Sequence, residues 1–309
     1  MRLVFLGTPD FAVPTLRALI EEGFDVAAVV TQPDRARGRH RSAPIPSPVK
    51  VAALEENLNV VQPSDPNSED FRAELCALGP EIGVVVGYGH ILKPHLLDLP
   101  SRGMINVHAS LLPKLRGAAP IEQAIINGDD ETGVSVIQLI PALDAGPVIH
   151  QLATPIAPDE TGSELTERLA ELGALALIEA LALVGTGTDQ RTEQDDAQAT
   201  YAPKLTRKAA RIQWDRPAYE VARRVRALDS RIGAWTTLNN RALKFFGPRL
   251  IPETCENAVP GEIVTTSPFS VATGLGALEF DEVQPAGRRR MSTREWLRGK
   301  PAEAGDRFE

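Results

Sequence analysis

The sequence predicts a Rossmann-like α/β domain with a mostly parallel sheet, followed by a small β-barrel of the OB-like type. Up to about residue 184, short continuous apolar runs alternate with segments of helical period, the pattern of strands buried on both faces of a parallel sheet. Beyond residue 203 the runs become short strands at turn-like spacing, as in a small barrel. At 309 residues the chain is also longer than one hydrophobic core usually serves, so two domains are expected.

Residues 3–6 read as a buried strand ending at Gly7-Thr8, residues 15–22 as a helix closed by Gly23, and residues 26–30 as a second strand. Residues 71–78 suit a helix stopped by Gly79-Pro80, and residues 82–86 another buried strand. The strand 104–108 follows. Its Asn106 and His108 are two apart, which in a strand places both side chains on one face. Pro113, Gly117 and Pro120 then force tight turns before a helix resumes at Ile121. Residues 133–139 alternate as a strand, and Asp144 sits between apolar residues just before Gly146, where a carboxylate can be held close to a turn. A long amphipathic helix spans 164–183.

The polar, acidic stretch 185–203 reads as a linker between a domain at 1–184 and a second at 204–309. In the second, a helix at 217–228 carries Arg223, Arg224 and Arg226 near its end, where cations suit the helix dipole. Strands at 234–238, 242–246, 261–266, 269–273 and 277–281 follow, and Ser292-Thr293 opens a last helix.

Hydrophobic content of 43% and charged content of 24% are those of an ordinary globular protein. No run of about 18 apolar residues is visible, and the N-terminus reaches Gly7 too early for a signal-peptide core, so a cytoplasmic protein without a membrane partner is expected. Cys76 and Cys255 are far apart and lack metal-type spacing; both are expected to be reduced and structural, with no metal bound. The net charge of −8 divides unevenly. Residues 1–200 hold 14 Lys and Arg against 28 Asp and Glu, while residues 201–309 hold 19 against 13, so the C-terminal part is the one suited to a polyanion.

The first turn, Gly7-Thr8-Pro9-Asp10, lacks the spaced glycines of a dinucleotide site, and Pro9 removes an amide donor. No phosphate loop of the Gly-x-x-x-x-Gly-Lys type occurs elsewhere, which ranks NAD and ATP low. Residues 32–50 form a basic, proline-rich loop inside an acidic domain, longer than an ordinary connection. Arg35, Arg37, Arg39 and Arg41 suit phosphate contacts; a merely solvated loop is the plain alternative.

Asn106-Val107-His108, followed by Ser110-Leu111-Leu112-Pro113 and Arg116-Gly117-Ala118-Ala119-Pro120-Ile121, resembles the signature of the formyltransferases that use 10-formyltetrahydrofolate, most closely the methionyl-tRNA formyltransferase family. Tyr201-Ala202-Pro203-Lys204 through Trp214, Ala234-Trp235 and Gln284-Pro285-Ala286-Gly287 extend the resemblance over nearly the whole chain. It implies transfer of formyl from 10-formyltetrahydrofolate to the α-amino group of initiator methionyl-tRNA, by a monomer working in translation initiation. It also implies a catalytic set of Asn106, His108 and Asp144, the last from its Leu-Asp-x-Gly setting. Ser110, Leu111, Leu112, Pro113, Tyr88, Gly89, Ile91, Leu92 and Leu143 are implied for the folate, and Arg35, Arg37, Arg39 and Arg41 for the acceptor end of the tRNA. The C-terminal barrel is the implied second tRNA-binding part.

One departure is Asp229-Ser230 where the family usually has Asn-Pro, with Ile232 in place of a proline. Arg116 faces either the tRNA or a neighbouring loop. A formyltetrahydrofolate hydrolase or a sugar-nucleotide formyltransferase would share the three polar residues without needing both the arginine loop and the basic C-terminal part. A noncatalytic RNA-binding module would leave the polar residues without a purpose.

Overall fold

The structure, a computed structural model, describes residues 1–35, 44–230, 232–251, 258–299 and 301–309. The chain folds as two compact units. Met1–Pro120, Glu131–Pro155 and Thr166–Ala202 form one; Ile121–Asp130, Ile156–Leu165 and Pro203–Glu309 form the other.

In the first unit, β1 (Arg2–Gly7), β2 (Asp25–Val30), β3 (Val60–Val61), β4 (Ile82–Val86) and β5 (Met104–His108) are parallel neighbours. Helices α1 (Val13–Glu21), α2 (Pro48–Glu55), α3 (Glu69–Leu78) and the one-turn α4 (Pro94–Leu97) lie between them in sequence. The sequence reading misses α2 because Ser47-Pro48 looks like more of the proline-rich loop. In the structure Ser47 is the N-cap, its hydroxyl accepting from Lys50 N at 3.0 Å, and Pro48 occupies the first helical position, where its missing N–H costs nothing.

After β5 come the two-residue β6 (Arg116–Gly117), α5 (Pro120–Asn127), β7 (Glu131–Gln138), β8 (Val148–Pro155), the long α6 (Gly162–Thr186) and the short β9 (Tyr201–Ala202). The sheet runs β3-β2-β1-β4-β5-β7-β8, with β7 and β8 antiparallel. The chain moves outward from β1 to β3 and then returns to place β4 on the other side of β1, so the carboxyl ends of β1 and β4 form the switch point where ligands enter such sheets. There the Thr8 hydroxyl donates to Tyr88 O at 3.0 Å, and Gln32 Nε2 donates to the same carbonyl at 2.9 Å. The loops after β1, β2 and β4 are thereby locked together.

By length and composition α6, read from the sequence as a long amphipathic helix over 164–183, is able to cross a membrane, yet 50% of its most apolar window is buried inside the protein. It is a core helix. A Cβ on Gly173 would come within 3.0 Å of Val107 Cγ1, so α6 passes close over the β5 face opposite Asn106 and His108. Cys76 is exposed and unbonded on α3, which corrects the expected structural role; Cys255 lies outside the described residues.

The second unit contains α7 (Ala218–Ala227) and the antiparallel strands β10 (Trp235–Leu238), β11 (Arg241–Ile251), β12 (Ile263–Thr266), β13 (Phe269–Ala272) and β14 (Ala277–Pro285) in the order β10-β11-β14-β13-β12. β15 (Met291–Ser292) pairs with β14 and leads into α8 (Thr293–Leu297). This half-barrel closes on an aromatic core in which Phe245 meets Phe280 at 4.5 Å and Trp214 stacks on Phe308 at 5.8 Å between centroids. The Asp229 carboxylate accepts from Ser163 N at 3.0 Å and from the Ser163 hydroxyl, so it caps the first turn of α6. That is what the Asp229-Ser230 departure builds here.

Candidate active site

Asn106 and His108 lie on one face of β5, with Asn106 beside Val85 of β4 and His108 opposite Ser135 of β7. His108 is buried; its Nε2 sits 3.0 Å from Leu115 O. A carbonyl only accepts, so Nε2 carries the hydrogen and Nδ1 is the nitrogen left for chemistry. Nδ1 is 3.8 Å from Asp144 Oδ2, with both side chains nearly enclosed. None of the described residues hydrogen-bonds the Asn106 carboxamide, which is partly open to solvent.

The loop after β5 is held by internal bonds. Ser135, fully buried, donates its hydroxyl hydrogen to Ser110 O at 2.6 Å and accepts from Leu112 N at 3.0 Å and Gln151 Nε2 at 2.8 Å. The Ser110 hydroxyl donates to Lys114 O at 2.6 Å. Leu115, at φ 61, is anchored by its N–H to the Thr200 hydroxyl at 2.8 Å. Gly117 is required as glycine: its φ is 119, and a Cβ would lie 2.7 Å from Ala202 O. Its N–H donates to Asp144 Oδ2 at 2.8 Å.

The Asn106, His108 and Asp144 expected together are thus brought to one face. The residues named for folate divide. Tyr88 is 2% exposed and Leu92 is buried, both within the apolar cluster of Val4, Leu6, Val30, Phe71 and Leu96. Burial of the Tyr88 hydroxyl, which has no hydrogen-bond partner among the described residues, raises its pKa to about 12. Ser110 and Leu112 are also buried, Leu111 and Pro113 half-buried, while Gly89, Ile91 (81%) and Leu143 (62%) face solvent. Arg35 forms an antiparallel bridge with Ile45 at the foot of the basic loop; Arg37, Arg39 and Arg41 lie outside the described residues.

Sequence reasoning leaves Arg116 open and passes over Gln194. Arg116 is 4% exposed and turned inward, with Nε donating to Gln194 Oε1 at 2.9 Å and Nη1 2.8 Å from Asp196 Oδ1. The stretch 185–203 expected as a linker carries these contacts, and Thr192 also bridges to Val148. Among the described residues no cluster of His, Cys, Asp and Glu suited to a metal occurs.

Comparison with known proteins identifies the family. Residues 1–181 match the family described as formyl transferase, and residues 204–301 the formyl transferase C-terminal domain. The chain is 45% identical over 307 residues to the methionyl-tRNA formyltransferase of Moorella thermoacetica, covering 99% of this chain and 98% of that one. It is 46% identical over 311 residues to that of Methylococcus capsulatus, covering 100% and 99%. The fold is shared with HypX from Aquifex aeolicus in complex with tetrahydrofolic acid, at a TM-score of 0.65 and 18% identity over all of this chain; the chain spans 50% of HypX. Identity of this extent along the full length, over both family domains, places the chain in the methionyl-tRNA formyltransferase family.

Proposed function

We propose that the chain transfers the formyl group of 10-formyltetrahydrofolate to the α-amino group of methionine esterified to initiator tRNA, giving N-formylmethionyl-tRNA and tetrahydrofolate. The observation that carries this reading is the approach of His108 Nδ1 to Asp144 Oδ2, 3.8 Å, on the sheet face that bears the uncommitted Asn106 carboxamide. The name of the Moorella and Methylococcus relatives and the tetrahydrofolic acid held by HypX support the choice of substrates. Exposed Gly89, Ile91 and Leu143 fit a flat heterocycle with apolar faces and a hydrogen-bonding edge.

10-Formyltetrahydrofolate supplies the formyl carbon, and tetrahydrofolate leaves with the electron pair of the broken C–N10 bond. As the methionyl nitrogen bonds to that carbon, negative charge gathers on the formyl oxygen, and the Asn106 amide is the donor free to meet it. His108 takes, at Nδ1, the proton that the amine sheds on attack, and the departing nitrogen gains one in turn. Asp144 faces the imidazolium so formed and stabilises it. A strong base is unnecessary, because α-amino groups titrate at about 7.7–8.0 and the ester draws electrons away.

The test is incorporation of labelled formyl from 10-formyltetrahydrofolate into initiator and elongator Met-tRNA by the wild type and by His108→Ala and Asp144→Ala. Labelling of initiator Met-tRNA that falls at least about 100-fold in the variants supports the reading. A folded, folate-binding wild type that labels no tRNA would move the acceptor to a sugar nucleotide or water.

A further inference from the structure

We propose that Gln194 is a positioning residue for this reaction, holding the Asp144 turn against His108; the proposal rests on the formyl-transfer reading above. Asp144 has φ 49, a left-handed backbone conformation uncommon outside glycine though more open to Asp than to most residues, so contacts that favour this turn decide where its carboxylate stands. Gln194 supplies such contacts. Its Nε2 donates one hydrogen to Asp144 O at 2.8 Å and the other to Gly146 O at 2.7 Å, so a single carboxamide pins both ends of the turn.

The orientation of that carboxamide is forced by chemistry. Its Oε1 accepts from Arg116 Nε, and a guanidinium only donates, so turning the amide over would set donor against donor on one side and oxygen against two carbonyls on the other. Arg116 is buried and fixed at its far end by Asp196, and its neighbour Gly117 donates to the Asp144 carboxylate. A closed circuit results: Asp144 carboxylate, Gly117 N–H, Arg116 side chain, Gln194 carboxamide, Asp144 carbonyl. The turn is packed on one side against the end of β7, where a Cβ on Gly146 would lie 1.8 Å from Gln138 O. Loss of the Gln194 amide leaves it free to move outward, away from His108. Gln194 touches none of the reacting groups and acts through Asp144.

The experiment is steady-state formylation of Met-tRNA by the full chain, comparing Gln194→Ala, Gln194→Glu, Asp144→Asn and the double variant Gln194→Ala with Asp144→Asn. Gln194→Glu keeps an acceptor for Arg116 and removes both donors to the turn. The ¹⁵N signals of the His108 ring are recorded for the same proteins, a readout independent of turnover. Both Gln194 variants are expected to lower kcat by about 10- to 100-fold, the scale of a displacement near 1 Å, with KM for both substrates little changed. On the Asp144→Asn background Gln194→Ala is expected to add no further loss. The His108 signals should move in Gln194→Ala and stay put when it is added to Asp144→Asn. Full activity in either Gln194 variant, an equal loss on both backgrounds, or unmoved His108 signals would overturn the proposal. If the wild type forms no formylmethionyl-tRNA, the functional reading fails and the His108 signals alone decide the role of Gln194.

Discussion

His108 and Leu115 are joined by a 3.0 Å hydrogen bond between the ring Nε2 and a backbone carbonyl, and this bond orients the imidazole. Asp144, at 3.8 Å from Nδ1, stands beyond hydrogen-bond distance, so in the proposed reaction its part is that of a charge partner to the protonated ring. The division of labour has a direct spectroscopic consequence. In the neutral ring, ¹⁵N NMR should find the hydrogen on Nε2 and the lone pair on Nδ1; the opposite tautomer would contradict the assignment of Nδ1 as the proton-accepting atom.

Asn106 and Ser135 should separate activity from stability. Removing the Asn106 carboxamide breaks no bond to a described residue, so Asn106→Ala is expected to keep the melting temperature while kcat drops about 100-fold or more. Ser135→Ala instead strands Leu112 N and Ser110 O, both bonded to the hydroxyl in a buried place, at a cost of about 1–3 kcal/mol for each group left unpaired. Thermal denaturation beside single-turnover rates checks both, and equal melting temperatures for the two variants would count against the Ser135 network.

Why one part of the site is legible in the sequence and another is not is a matter of distance along the chain. The Asn106 and His108 pair follows from the two-residue period of a strand, and 104–108 is the strand observed. Asp144 reaches the same face only because the loop between β7 and β8 folds back, and no local period encodes that; its role comes from the family resemblance alone. Gln194 sits in a polar, acidic segment whose composition resembles a linker, although Thr192, Gln194 and Thr200 each bond back to earlier residues of the first unit, to which they belong. Tyr88 and Leu92 show the converse: apolar residues in a loop next to a site look like pocket lining, whereas their side chains complete the core.

Gly117 has two duties that one methyl group would upset. With φ 119, and with Ala202 O only 2.7 Å from where a Cβ would stand, Gly117→Ala must shift the β6–β9 pairing and carry its N–H away from Asp144 Oδ2. The variant is expected to lose stability and to lower kcat together, measured by urea unfolding and single-turnover formylation. Gly287, with φ 73 and nothing within 4 Å of where a Cβ would stand, is the control: Gly287→Ala carries backbone strain alone, so it should leave kcat unchanged.

The basic loop is rooted by a polar knot whose strength depends on pH. Lys50 Nζ lies 2.7 Å from Asp34 Oδ2 and 2.7 Å from Gln62 Oε1, and Gln62 Nε2 donates to Asp34 Oδ1 at 2.8 Å. The hydrogen bond from Lys50, then that from Gln62, lowers the Asp34 pKa from its ordinary 3.8. A depressed carboxylate stabilises the fold above its unfolded value, and this contribution is lost as pH falls through the lower folded value. Hydrogen exchange at Ile45 N, which bonds Arg35 O at 3.1 Å, should therefore be faster in Asp34→Asn than in wild type near neutral pH. The difference should begin to shrink below pH 3.8 and close once pH is under the lower folded value; a difference that persists after the carboxylate is protonated would show that its ionised form is not what holds the root.

The arginines beyond that root can be tested by salt alone. Arg35, Arg37, Arg39 and Arg41 alternate along the sequence of an otherwise acidic domain, so their contribution to tRNA affinity should be chiefly release of counterions from phosphates. Taking away one arginine that neutralises a phosphate lowers the slope of log K against log salt by roughly 0.7–0.9. Replacing Arg37, Arg39 and Arg41 with alanine is therefore expected to weaken binding of initiator and elongator Met-tRNA alike, and to reduce the slope by about 2 to 3. Charge that reads only phosphate cannot tell one tRNA from another, so a loss confined to the initiator would mean that these side chains contact bases. An unchanged slope with unchanged affinity would return the loop to a solvated connection and leave the basic C-terminal unit to carry the polyanion.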